Sequence, residues 1–281
     1  MDNQGSLSDI SVDHTGQWRL AIRLGTDTLD TVLYSPHHDG SLIHRALPLD
    51  PAAPSRLKAL ETCVYDNQLL LGDFARISCV IESRQTLILP PGLDSGTDDA
   101  TADARSLIFG ASFPGFAGET FLSPTGMADT AIMSGDPDGV LPFLRRTFFN
   151  VQISSHLSPL CRYFLSTAGR ASGQRLYAVL RAGAVDIVVT ERGRLLMANT
   201  FDAPRASDAA YFILAVREML EMPPAAETML AGAAALREGV SPILRRFLPA
   251  VMPVIFPSVM FRAGKEALNS PFDLIILPLC E

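Results

Sequence analysis

Apolar and polar positions alternate along the opening of the chain in a way that predicts strands. Residues 18–24 (WRLAIRL) form one apolar-rich run, and 28–34 (TLDTVLY) alternates as a half-buried strand does. The intervening SPHHDG carries Asp39-Gly40, a strong hairpin signal, and a third run follows at 41–49. Pro51 and Pro54 then break the chain, and Ser55 is placed to cap a helix over 56–71. The second half repeats the order: strands at 175–180, 185–190 and 194–201, the last two joined by the turn Glu191-Arg192-Gly193. Ser207 then reads as the N-cap of a long helix, SDAAYFILAVREML, that stops before Pro223-Pro224. Because 209–216 is apolar nearly all round, that helix is expected to be largely buried. A βββα unit therefore occurs twice, with a faint echo between Ala21-Ile22-Arg23-Leu24-Gly25 and Val179-Leu180-Arg181-Ala182-Gly183.

The remaining segments are less regular. Residues 77–82 and 86–89 suggest a strand pair, 127–134 and 148–154 further strands, and 94–103 (DSGTDDATAD) a polar, acidic surface loop. Ser158-Pro159 and Ser241-Pro242 each combine an N-cap residue with proline at the first helical position, so helices are expected to begin there. GRASG at 169–173 is the best linker, dividing the chain into 1–170 and 171–281. The last apolar run, 272–279 (FDLIILPL), reads as a buried strand. So does part of 247–261 (FLPAVMPVIFPSVMF), which is too short and too rich in proline for a membrane-crossing helix.

Composition narrows the function classes. With 281 residues the length suggests two domains, and 48% apolar against 19% charged residues is enough for packed cores. The net charge of −7 argues against a nucleic-acid partner, which needs concentrated Lys and Arg. Cys63, Cys79, Cys161 and Cys280 contain no CxxC pair, as fits free thiols in a reducing compartment. The opening MDNQGSLSDI lacks the basic and apolar regions of a secretory signal, so a cytoplasmic location without membrane insertion is expected.

Two tandem βββα units in a chain of this size resemble the actin-like ATPase architecture, a duplicated ribonuclease-H-like α/β fold. LLMANTF, SDAAYFILAVREML, ETMLAG and the terminal LPLCE resemble a bacterial family of uncharacterised actin-like proteins, domain of unknown function family 3822. The likeness covers most of the chain and is strongest over 148–281. It implies a two-lobed α/β fold; the family has no established activity, and ATP hydrolysis does not follow from the fold.

An actin-like ATPase carries an Asp before each of two Gly-rich turns that surround the phosphates, and a later Gly-Gly beside the nucleoside. Here the first turn reads Ile22-Arg23-Leu24-Gly25-Thr26-Asp27: Gly25 and Thr26 match, but Arg23 stands where the Asp belongs, and a guanidinium cannot be a Mg²⁺ ligand. Asp27 lies past the turn. The second reads Leu180-Arg181-Ala182-Gly183-Ala184-Val185-Asp186, with Arg181 in the acidic position and Asp186 on the following strand. The third reads Leu230-Ala231-Gly232, with alanine for the first glycine. Ordinary Mg-ATP hydrolysis is not expected, nor is any catalytic or metal-ligating residue. If the cleft binds an anion or a nucleotide such as ATP, the residues that would hold it are Arg23, Gly25, Thr26, Arg181, Gly183 and Gly232. The reversed charges allow Arg23 and Arg181 to face each other and bind an anion without metal; the preferred reading is that each arginine pairs with a nearby carboxylate or points to solvent.

Other chemistry is weaker. His37-His38 reads as a solvated turn, since neighbours on a strand end point opposite ways. His156 and Cys161 lack the orienting third residue of a nucleophile pair, and Cys161 reads as a core thiol. The acidic loop lacks the order of a calcium loop. Asn199 is expected to fix its strand by a buried hydrogen bond. The apolar stretches 209–222 and 257–261 would mark a protein contact if exposed. The sequence thus favours a non-catalytic protein that acts by binding a protein partner, as a scaffold or adaptor in the way of the actin-like proteins of bacterial pilus and secretion machines. A metal-independent nucleotide or anion switch is the alternative, and a homodimer is open. No feature marks an enzyme of another type.

Overall fold

The structure is a computed structural model that describes residues 7, 10, 12–136, 138–168, 173–255, 264–268 and 270–280. Its first half runs β1 (Arg19–Leu24), β2 (Thr28–Tyr34), β3 (Ile43–Pro48), α1 (Arg56–Asp66), β4 (Arg76–Ile81), β5 (Thr86–Ile88), α2 (Asp99–Ser112), β6 (Glu119–Pro124), β7 (Ala131–Asp136), α3 (Val140–Thr147), β8 (Gln152–Ser155) and α4 (Leu157–Ala168). The second half runs β9 (Gln174–Arg181), β10 (Ala184–Glu191), β11 (Arg194–Asp202), α5 (Ala206–Met219), β12 (Glu227–Gly232), α6 (Ala234–Leu244), β13 (Val251–Pro253) and α7 (Phe272–Ile276).

Two five-stranded sheets share one plan. The first has the order β3-β2-β1-β4-β8 and the second β11-β10-β9-β12-β13. In each, the first three strands form an antiparallel meander, and two further strands join in parallel to the first of them. A smaller sheet, β5-β7-β6, is inserted between β4 and β8 and packs under α2 through Phe109.

Each large sheet buries one face under its own helices. Leu20, Ile22 and Leu24 of β1 pack with Leu60 and Val64 of α1 and with Leu144 of α3. Leu176, Leu180 and Ile187 pack with Ile213 and Val216 of α5 and Leu244 of α6. The other faces are joined by exchanged helices. Phe164 of α4 stacks on Tyr177 of β9 with ring centroids 4.0 Å apart, while Leu274 and Ile275 of α7 pack against Ala21 of β1 and Val80 of β4.

Most strands fall where the alternation of the sequence puts them; several other elements do not. Residues 272–279 are α7 followed by a 3-10 turn over Leu277–Leu279, not a strand. A run apolar on every side fits either geometry, and Pro271 at the N-cap with Asp273 in the first turn suits a helix. The acidic stretch expected to be a loop is in part the start of α2: Asp98 caps it, its carboxylate accepting the Thr101 N–H at 2.9 Å. β5 does not pair with β4 but with β7, and residues 140–147 form α3, where the Asp136 carboxylate accepts the Leu141 N–H at 2.8 Å.

Three expected helix starts also move. Helix α5 begins at Ala206, because Asp208 rather than Ser207 takes the capping role and accepts the Arg205 N–H at 3.1 Å. Ser158 lies inside α4 and donates to the Pro124 carbonyl at 2.6 Å. Ser241-Pro242 falls in the last turn of α6, which starts at Ala234. In α5, Ala209, Ala210, Ile213 and Val216 are buried, but Tyr211 is 65% exposed. The 56–71 segment is α1 followed by a 3-10 turn over Gln68–Leu71. Residues 169–172 of the linker and 256–261 of the proline-rich run lie outside the described residues; within the rest of that run, only Val251–Pro253 is a strand.

Candidate functional site

The C-terminal ends of the parallel strands from both large sheets open on one cleft, the usual place for a ligand in an α/β sheet. It encloses about 570 Å³, and its walls include all six residues singled out in the sequence: Arg23, Gly25, Thr26, Arg181, Gly183 and Gly232. A smaller apolar hollow of about 270 Å³, beside Tyr34, Leu42 and Leu279, shares no wall residue with it.

Arg23 and Arg181 do meet across this cleft, but a carboxylate stands between them. Glu82, the residue after β4, receives Arg23 Nη2 at 3.1 Å and Arg181 Nη1 at 2.9 Å on the same oxygen, Oε2. Arg23 also reaches Asp30 at 3.4 Å, directly opposite on β2. Its Nε lies 2.9 Å from Asp273 Oδ2 of α7, an ion contact without hydrogen-bond alignment. Arg181 grips Asp186 through Nε at 2.6 Å and Nη2 at 2.8 Å. At the rim, Arg84 bridges Glu82 at 3.5 Å and Asp202 of β11 at 2.8 Å.

Asp186 is fully buried and satisfied from three sides. The Thr200 hydroxyl, opposite it on β11, donates to Oδ1 at 2.7 Å. His156, the residue after β8, places Nε2 3.2 Å from the same oxygen and 2.8 Å from Thr200 Oγ1, while Nδ1 faces the Ile81 carbonyl at 3.3 Å. Burial opposes the charge of Asp186, yet Arg181 and His156 hold its carboxyl well below the ordinary value. Burial likewise works against Glu82, and Arg181 and Arg23 outweigh it, so its pKa also falls. Arg181 is raised: Asp186 and Glu82 overcome the effect of burial. Asp273 goes the other way, because burial dominates and pushes its carboxyl up.

The turns themselves are held from within. The Gly25 N–H donates to the Thr28 carbonyl at 2.9 Å, and Arg56 of α1 donates to the Gly25 carbonyl at 2.7 Å. Thr26 and Asp27 are exposed at the tip. Gly183 has φ +76° in a two-residue turn with open space around it. Gly232 has φ +107°, and a Cβ there would sit 2.2 Å from the Leu180 carbonyl oxygen. That glycine is needed for the close approach of β12 to β9 whether or not a ligand binds.

Glu82, His156, Asp30, Thr200 and Asp273 were not among the residues expected at the site. In the sequence His156 stands beside Cys161, a fully buried thiol whose pKa burial raises, but its partner in the structure is Asp186. The local signal for Glu82, Asp30 and Asp273 is a polar residue at the end of, or within, an apolar run; His156 and Thr200 carry none. Asn199 accepts the Thr200 N–H at 2.9 Å, a structural bond. Among the described residues, no group of three or more His, Cys, Asp or Glu side chains is arranged to hold a metal ion, and no helix is long and apolar enough to cross a membrane.

The doubled sheet plan is that of the actin-like ATPase fold, with two ribonuclease-H-like subdomains. A protein of Bacteroides thetaiotaomicron with this fold and unknown function matches with a TM-score of 0.76 and 23% identity, over 97% of this chain and 100% of that one. A chain of the PilM-PilN type IV pilus biogenesis complex matches with a TM-score of 0.54 and 15% identity, over 92% and 97%. Residues 130–251 match the family model described as Protein of unknown function (DUF3822). No functionally curated protein matches the sequence.

Proposed function

We propose that this chain is a non-catalytic actin-like protein that acts by binding a protein partner, and that its cleft is closed by its own ion pairs rather than by a metal-bound nucleotide. The observation that supports this most is the state of the two arginines. Each stands at the end of the first strand of its sheet, and each is engaged by internal carboxylates: Glu82 by both, Asp30 and Asp273 by Arg23, and Asp186 by Arg181. A divalent cation entering there would meet two guanidiniums. The Gly25 amide, which a phosphate oxygen would need, is committed to Thr28. In this reading residues 1–170 and 171–281 are the two lobes, apart from the exchanged helices α4 and α7, and the protein works as a cytoplasmic scaffold or adaptor. A chain of the PilM-PilN type IV pilus biogenesis complex has a similar fold, and that analogy of fold supports a binding role.

Thermal shift with ATP, ADP and GTP, each with and without Mg²⁺, tests the proposal. A ligand at 100 times its dissociation constant adds about 2.7 kcal/mol to the folded state. The expected result is no shift with any nucleotide. A Mg²⁺-dependent shift accompanied by phosphate release would overturn the reading, and a metal-independent shift would favour a nucleotide or anion switch. Sedimentation analysis of the purified chain decides whether a second copy is a partner.

A further inference from the structure

Glu82 differs from the other carboxylates of the network in being shared between the sheets. Asp30 lies on the strand next to Arg23, and Asp186 on the strand next to Arg181. Glu82 instead takes one terminal nitrogen from each: Arg23 Nη2 and Arg181 Nη1. Arg23 keeps Asp30 and Asp273 through Nη1 and Nε, and Arg181 keeps Asp186 through Nε and Nη2. Among the described residues, the two nitrogens on Glu82 have no other carboxylate partner.

We propose that Arg23 Nη2 and Arg181 Nη1 form an oxyanion site bridging the two lobes, that Glu82 occupies it in cis, and that a small oxyanion entering the cleft competes with Glu82 for it. This rests on the reading of the cleft as closed by its own side chains. Both arginines and Glu82 line the wall of the 570 Å³ cleft, so an ion that enters the cleft reaches the pairs that fill the site. Arg84, 3.5 Å from Glu82 Oε1 at the rim, can retain the carboxylate once it leaves. Two charge-assisted donors converging on one oxygen suit a carboxylate or phosphate. A tethered occupant acts at high effective concentration, so the wild-type protein binds an outside oxyanion only weakly.

The test uses the full chain as wild type, Glu82→Ala and Glu82→Gln. Each is titrated with sodium acetate and with inorganic phosphate against sodium chloride at matched ionic strength, and read by melting temperature and calorimetry. Glu82→Ala is expected to bind one oxyanion about tenfold or more tightly than wild type, and to lose that binding when Arg181→Ala is added. Glu82→Gln keeps the side chain's shape, so it carries the test if the alanine variant does not fold: a saturable oxyanion-dependent rise in melting temperature, larger than that of wild type, is expected. Binding of phosphate alone would make the natural ligand a phosphoryl group; equal binding of acetate would make it a carboxylate. No gain over wild type in a folded variant overturns the proposal. A Mg²⁺-dependent nucleotide shift in wild type would instead overturn the functional reading and leave a gain in the Glu82 variants standing.

Discussion

The two sheets carry the same pair of groups and enclose it differently. In each, an arginine near the end of the first strand meets an aspartate on the second: Arg23 with Asp30, and Arg181 with Asp186. Asp30 sits at the cleft wall and is shared with His44 of β3 at 3.1 Å and with the Thr28 hydroxyl at 3.3 Å. Asp186 is sealed, with Thr200 from its own sheet and His156 from the opposite half closing over it. The pair at the wall makes one monodentate contact at 3.4 Å, whereas the sealed pair makes two contacts under 2.9 Å. A duplicated motif thus becomes a buried contact at the cleft wall in one lobe and an interlobe anchor around a fully enclosed aspartate in the other. What decides is the neighbour that packs on it. Desolvated ions are costly to leave unpaired, so the sealed pair should tolerate change least.

Mutating the two aspartates is the sharpest way to break this comparison. Asp186→Ala takes from Arg181 its two-pronged partner, leaving it Glu82, and from the buried His156 its carboxylate contact, and is expected to destabilise the fold by about 3–5 kcal/mol. Asp30→Ala leaves Arg23 with Glu82 and Asp273 and should cost about 1–3 kcal/mol. Urea denaturation of both variants measures the difference, and equal losses would show that the two pairs are energetically alike.

Acid titration sharpens the same contrast. Glu82 and Asp186 have folded values below their unfolded ones, so their stabilisation is fully present above the ordinary carboxylate value and is lost as pH falls below it and through the folded values. Each contributes up to about 1.4 kcal/mol per pH unit where it titrates. Glu82→Gln should therefore flatten the acid limb of a stability–pH curve. Asp273 has the opposite sign: its folded value is raised, so its contribution is present in acid and is lost as pH rises through that value. Asp273→Asn should leave the acid limb intact and remove the decline on the other side. An unchanged acid limb in Glu82→Gln would contradict the ion-paired state of that carboxylate.

The smallest expected effect distinguishes the turns. Gly183 lies at φ +76°, so Gly183→Ala should cost about 1–2 kcal/mol of backbone strain despite the open space around it. Gly25 has no such φ, and a Cβ there meets Thr28 atoms at 3.3 Å, so Gly25→Ala should cost less than about 1 kcal/mol. Chemical denaturation of the two variants measures this, and the reverse ranking would mean that the first turn is the more constrained.

What the sequence settled by itself was local. Short apolar runs bounded by turn residues placed β1, β2, β9 and β10 within a residue or two, because strands covered on both faces are apolar along nearly their whole length. The reversal of charge at Arg23 and Arg181 was equally legible, since it needs only the turn beside each. The segments it misassigned are those whose composition fits two geometries: α7 is enclosed on all sides, as the central strands are, and the start of α2 is polar because it caps a helix. Tertiary structure alone decided what the arginines bind. Glu82 is 59 residues from Arg23, and His156 is 30 from Asp186. Neither carries a motif; each reaches the cleft because parallel strands bring their C-terminal ends to one side of the molecule, and the pairing energy of a buried charge depends on that distance rather than on separation along the chain.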